Sequence, residues 1–271
     1  MCKKVLAFFK SLLYTIATQL SVFLYQTRQA VFLIGGKTVK KPVFYTEAAF
    51  LLGLFFLAWG TALTVWGNWG ISMVVAPAYI LHLAISKSWG WFSFGVAEYV
   101  LQAVVLCIMM LLLRKIRIVY FWSFATAVIY GILLDLGTFV IQKFLPTSPS
   151  DDFRFVMYIL GDCAVCTGVA LMFKTYFQPE VYEMFIKEVG KRSGVRLYIL
   201  KTIYDCCSLV VAVCMSYILL GQLEGIGIGT VVCALVNGTM IKVITILLDR
   251  FWVFGDLLPY RTKFEESEET V

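Results

Sequence analysis

A chain of 271 residues that is 61% hydrophobic and 15% charged, with a mean hydropathy of +0.85, is not a soluble domain, which carries about 45–50% apolar and about 25% charged residues. The formal net charge of +6 needs no nucleic acid to explain it, because the basic residues cluster at the ends of apolar runs, as membrane orientation requires. A single histidine excludes a bis-histidine haem within one chain and gives no basis for a His-rich metal site.

In chain order, residues 1–44 read as an N-terminal amphipathic segment. Lys3, Lys4 and Lys10 stand before or within its apolar run, and Arg28, Lys37, Lys40 and Lys41 follow. Positive charge on both sides favours a helix lying in the cytoplasmic interface over an extra span, with 5–27 the stretch in question. Lys10 interrupts the run and no convincing small-residue cleavage site follows, which argues against a signal peptide.

Six apolar segments near the roughly 20 residues that a bilayer needs come next, at 46–66, 92–113, 118–140, 155–174, 197–220 and 227–249. Two shorter ones lie between them: 70–86, which contains Pro77, and 179–194, which is charged and amphipathic. Cys163 and Cys166 form a CxxC inside an apolar helical pattern, where thiols behave as small hydrophobes. Five other cysteines also lie in apolar runs, so no secreted disulfide framework is expected.

An internal repeat organises these segments. LGLFFLAWGTAL from Leu52 matches LGDCAVCTGVAL from Leu160 at a shift of 108, superposing Gly53 on Gly161 and Gly60 on Gly168. At a shift of 107, Gly131 falls on Gly238 and Ser123 on Thr230. The order of elements (span, short segment, span, span) recurs too. If the short segments do not cross, Arg114, Lys115, Arg117, Lys187, Lys191, Arg192 and Arg196 all lie inside, as the positive-inside rule prefers. The expected fold is therefore all-α: two inverted repeats of three spans, at 45–145 and 146–250, each with a short non-spanning or re-entrant segment. Both termini are cytoplasmic, and 251–271 forms an acidic cytoplasmic tail. Such repeats are common among transporters, with the site at the repeat interface.

GNWGISMVVAPAYIL (67–81), FGVAEYVLQ (94–102) and GIGIGTVVCALVNGTMI (225–241) resemble the YitT/YczE family of bacterial membrane proteins. The chain runs into FEESEETV rather than a soluble C-terminal domain, so it is closer to the YczE type. The resemblance implies a polytopic protein of the bacterial cytoplasmic membrane with a duplicated hydrophobic unit; it supplies no mechanism.

Ionisable groups inside spans cost about 2.5–3.5 kcal/mol each on insertion scales, so each needs a reason. Glu98, Asp135, Asp162, Lys174, Lys201, Asp205 and Lys242 are such groups, with Gln102 as a polar neighbour. The repeat relates Glu98 to Lys201, Gln102 to Asp205 and Asp135 to Lys242. Depth along the spans divides them into an inner cluster of Lys201, Asp205 (i, i+4) and Lys242 and an outer acidic cluster of Glu98, Asp135 and Asp162. The outer carboxylates could attract a cation or protonated amine, or be protonated. Lys174 and Lys201 could instead snorkel to the interface.

GIGIGT (225–230) opens a helix, and the backbone at Gly227, Gly229 and Thr230 could hold an anion; the alternative is a tight turn whose glycines allow close packing. Gly53, Gly60, Gly161 and Gly168, seven apart in matched helices, read as helix–helix contact surfaces. His82 reads as an interfacial polar residue, with proton handling the alternative. No catalytic triad, metal-binding run or nucleotide motif is present, so neither an enzyme nor a cofactor is expected. The expected function is a small-molecule permease or transport-related protein with its site between the repeats. The alternative is a membrane partner, assembly or regulatory factor. Partners are then the lipid bilayer, an unknown small molecule or ion, or another membrane protein, and no nucleic acid. A polar mid-membrane cavity lined by Glu98, Asp135, Lys201 and Asp205 would favour transport.

Overall fold

The structure is a computed structural model that describes residues 42–257 except 115, 147 and 148. Most of the N-terminal amphipathic segment (1–41) and the tail from 258 onward lie outside the described residues. Those described fall in one unit, Pro42–Val271.

Eight helices follow one short strand and precede another: β1 (Val43–Tyr45), α1 (Thr46–Gly67), α2 (Ala76–Ser86), α3 (Phe94–Leu113), α4 (Ile118–Phe144), α5 (Asp151–Met172), α6 (Val181–Ser193), α7 (Leu197–Leu220), α8 (Ile228–Phe251) and β2 (Val253–Gly255). Six of them, all but α2 and α6, are long and apolar enough to cross a bilayer, since 20–27 residues at about 1.5 Å each span the roughly 30 Å hydrocarbon layer. The chain is a multi-pass membrane protein. Large exposed apolar side chains such as Leu111, Phe139 and Ile218 meet lipid tails.

Local chemistry sets the boundaries. Ser93 caps α3 by accepting the Val96 N–H, and Ser150 caps α5 by accepting that of Phe153, each satisfying an orphan donor of the first turn. Asp151 and Asp152 add negative charge where the helix dipole is positive. Asn68 (φ 55°) ends α1 and Gly194 (φ 71°) ends α6, both in the left-handed region that stops a helix.

At the centre α1 crosses α5 antiparallel. Gly53 faces Gly168, Gly60 faces Gly161, and Gly67 faces Tyr158, so progress along one helix is regress along the other. A Cβ on Gly60 would stand 2.7 Å from the Gly161 carbonyl oxygen, and one on Gly168 would stand 2.6 Å from that of Gly53. The glycines thus let the two backbones touch. The shift of 108 exchanges these two contacts with each other.

Most of the remaining helix packing is paired in the same way. The α1–α4 contact has its counterpart in α5–α8, α3–α4 in α7–α8, α2–α3 in α6–α7, and α2–α7 in α6–α3. Each short helix therefore lies between a span of its own half and one of the other half. The stretches leading into these helices are buried and not helical: Gly70–Val75 before α2, and Gln178–Glu180 before α6. Unwound backbone at such depth must find partners within the protein. The Ile71 N–H donates to the Gly225 carbonyl, while the Ser123 and Thr126 hydroxyls donate to the carbonyls of Pro179 and Gln178.

Helix α6 departs from its sequence pattern. Its charged, amphipathic composition suggests a solvated face, yet Tyr182, Glu183, Met184, Ile186 and Glu188 are all buried. Only its last turn, with Lys191 and Arg192, is exposed. The parallel pairing of β1 with β2 was not foreseeable from three-residue strands 210 residues apart in sequence.

Candidate functional site

The site begins on α3, where Glu98 and Gln102 stand one turn apart on the same face and are fully buried. Gln102 reaches the start of α6: its Nε2 donates to Glu180 Oε2 (3.0 Å) and its Oε1 accepts the Val181 N–H (3.2 Å). One amide thus orients the N-cap carboxylate and satisfies an orphan donor of the first turn. The Tyr182 hydroxyl donates to Glu98 Oε2 (3.0 Å). One turn into α6, Glu183 Oε1 accepts from Lys201 Nζ of α7 (3.1 Å), and Lys201 also stands 3.4 Å from Asp205 Oδ1. Across the interface, Asn237 Nδ2 of α8 donates to Asp162 Oδ1 of α5 (2.9 Å).

Of these side chains, Glu180, Tyr182, Glu183, Lys201, Asp205 and Asn237 line a cavity of about 20 Å³, and Glu98, Gln102 and Asp162 hydrogen-bond to that lining. Thr61, Ser72 and Tyr130 add to its polar lining; Leu57, Val165 and Val169 supply much of the apolar wall. It lies beside the α1–α5 crossing, where both unwound stretches end. Four of its neighbours carry buried oxygens with no hydrogen-bond partner among the described residues: Glu98 Oε1, Glu180 Oε1, both oxygens of Asp205, and Asn237 Oδ1. An unsatisfied buried acceptor costs about 1–3 kcal/mol, more when charged, so such groups bind protons or ligands. Burial raises the Glu180 carboxyl well above the usual carboxylate range, and nearby Glu183 and Glu98 push it further.

The family model of DUF6198, described as a family of unknown function, matches residues 44–246. The chain belongs to that family. No curated protein and no solved structure matches it. The matched region contains every residue of the cavity wall.

Of the residues expected from sequence, Glu98, Gln102, Lys201 and Asp205 converge here, and Asp162 joins through Asn237. The separation into inner and outer clusters does not hold for Glu98 and Lys201, because α6 carries Glu180 and Glu183 between them. Lys201 does not snorkel; it is 6% exposed. Asp135 is elsewhere: it accepts from the Ser93 hydroxyl (2.7 Å) and the Gly95 N–H (2.9 Å), closing the N-terminus of α3 onto α4. Lys242 is exposed on α8 and does not line the cavity, because its register turns it away from Asn237 and Ile241. Lys174 forms an ion pair with Asp249 (2.7 Å).

The anion site at Gly227, Gly229 and Thr230 is not formed. The Gly229 N–H donates to the Trp69 carbonyl and the Gly227 N–H to the Thr230 hydroxyl, while a Cβ on Gly227 would stand 2.3 Å from that same carbonyl. These glycines seat the unwound stretch before α2. His82 Nδ1 lies 2.8 Å from the Phe92 carbonyl and is satisfied there as a donor.

Glu180, Tyr182, Glu183 and Asn237 escaped the sequence reading. The available signal was a proline followed by carboxylates three apart at the start of a short helix (Pro179, Glu180, Glu183), a pattern that favours a helix N-terminus.

Asp135→Ala should lower stability by about 0.5–2 kcal/mol, the range for a lost cap, read as a lower melting temperature in detergent. A melting curve indistinguishable from wild type would refute the capping role.

Proposed function

We propose that this DUF6198 member is a transport-related membrane protein, a permease that takes a cation into the central cavity between two inverted repeats. The observation that carries this reading is Asp205. It is a buried carboxylate on the cavity wall with no hydrogen bond to either oxygen, and it shares its ion-pair partner Lys201 with Glu183. Glu98, Glu180 and Glu183 add acceptor charge around a single lysine, and buried charge of one sign draws in the other. The antiparallel α1–α5 crossing and the exchange of contacts between halves support an inverted duplication, the arrangement in which transporters place their sites. The distribution of Lys and Arg supports cytoplasmic termini, and the likeness to YitT/YczE proteins supports a bacterial cytoplasmic membrane. No catalytic step is part of this reading. A partner or assembly factor without transport would need no unsatisfied carboxylates in its interior.

Proteoliposomes challenged with gradients of inorganic and organic cations should show cation uptake that protein-free liposomes lack, and Asp205→Asn should abolish it. Silence toward every cation from folded, reconstituted protein would overturn the proposal.

A further inference from the structure

Asp205 faces an uneven division of charge. Lys201 is the one base at the cavity, and its ammonium hydrogen-bonds Glu183 at 3.1 Å while standing 3.4 Å from Asp205 without hydrogen-bond geometry. One ammonium thus serves two carboxylates, hydrogen-bonded to Glu183 and ion-paired to Asp205, and one negative charge of the two is left without a counter-charge. The other groups facing it add no positive charge: Asp162 from α5, Glu180 from α6, Cys233 from α8 and Tyr204 on its own helix. Helix α2 contributes no charged side chain to the lining. A carboxylate in this position needs one positive charge, supplied by a proton or by an ion.

The cavity limits what that ion can be. About 20 Å³ admits roughly one water-sized particle, since a water needs about 10–15 Å³ on this measure. Beside Asp205, the lining offers the unpartnered amide oxygen of Asn237 and the hydroxyl of Ser72, which sits on the unwound stretch before α2. Glu183 in the same lining is engaged by Lys201 and burial favours the neutral form of Glu180, so Asp205 with neutral oxygens forms a low-charge donor set. Divalent cations gather several carboxylates, and no group of three ligating side chains is assembled for a metal ion among the described residues. Broken helix ends are also where transporters coordinate sodium or protons.

We infer that Asp205 exchanges a proton for one small inorganic monovalent cation, which the cavity holds without its hydration shell. The inference rests on the cation reading above. As the ion enters, the Asp205 hydroxyl releases its proton to water, and one positive charge replaces another, so the interior charge is unchanged. The proton competes with the ion, so affinity rises with pH until Asp205 is ionised in the ion-free protein and is level beyond that.

The purified full-length protein in detergent can be titrated with the chlorides of lithium, sodium, potassium and ammonium, with choline chloride holding ionic strength constant. One of these ions should raise the melting temperature, and its half-saturating concentration should fall about tenfold per pH unit in the acid range, as linkage to one proton requires. In weakly buffered solution the same titration should release about one proton per protein bound. Asp205→Asn should melt at or above the wild-type temperature and lose both responses. If that variant does not fold, the wild-type pH slope and proton release decide alone. Ion stabilisation unchanged across the acid range, or retained in Asp205→Asn, overturns the exchange. Stabilisation by organic amines such as spermidine, with none by inorganic ions, overturns this inference and leaves the cation site standing. No response to any cation removes both.

Discussion

Lys201→Met is expected to destabilise the protein by about 3–5 kcal/mol, the range for removing one partner of a buried ion pair. The loss follows from what stays behind: Glu183, 3.1 Å from the ammonium, and Asp205, 3.4 Å away, would share the interior with Glu98 and Glu180 and no base. For a unit of this size, each kcal/mol corresponds to about 2–4 °C, so the melting temperature should fall by on the order of 10 °C. Second substitutions then distinguish the two acids. Lys201→Met with Glu183→Gln should recover more than Lys201→Met with Asp205→Leu, because Glu183 loses a direct hydrogen bond whereas Asp205 has a proton as its alternative counter-charge. A single variant melting within a degree or two of wild type would show that the ammonium is not holding these acids in place. Equal rescue by the two second substitutions would show that they share it evenly.

Gly60→Ala should be nearly as damaging. Its new Cβ would meet the Gly161 carbonyl oxygen at 2.7 Å and the Val165 nitrogen at 2.8 Å. Both are backbone atoms, which cannot swing aside. Alanine gains about 1 kcal/mol of helix propensity over glycine, but α1 and α5 must then separate along the crossing that carries Thr61, Val165 and Val169 to the cavity. Overpacking typically costs about 1–3 kcal/mol, occasionally more, and a rigid obstacle on both sides puts this site at the upper end. Gly168→Ala should behave alike, since its Cβ would meet Gly53 oxygen and Leu57 nitrogen at 2.6 and 2.7 Å. Gly137→Ala is the control: its nearest neighbour is a side-chain carbon at 3.5 Å, so the propensity gain should prevail there. Melting curves and monodisperse yield on all three test the ordering. Gly60→Ala as stable as Gly137→Ala would mean that the crossing is not tightly specified.

What each variant perturbs also separates what sequence determined from what the tertiary structure decided. Six spans were legible because a bilayer demands runs of a fixed length, and runs of apolar residues near 20 leave few other readings. Gly53, Gly60, Gly161 and Gly168 were legible as contacts, because a glycine repeated every seventh residue inside a helix has little purpose except close approach. The Lys201–Asp205 pair followed from helical spacing within one segment. The partners of these residues did not follow. Helices α3, α7 and α8 are apolar on the lipid side and largely apolar within, so polarity marks no inward face; nothing local tells that Asp135 closes a helix end or that Lys242 turns outward. Helix α6 misled for the opposite reason. Its carboxylates resemble a solvated face, and the groups that make their burial tolerable are distant: Gln102 on α3 and Tyr120 on α4 lie 78 and 68 residues earlier in the chain, and Lys201 on α7 lies 18 later. Hydrophobic length is a property of a segment and can be read along it, whereas the neutralisation of a buried charge belongs to the several helices that meet around it.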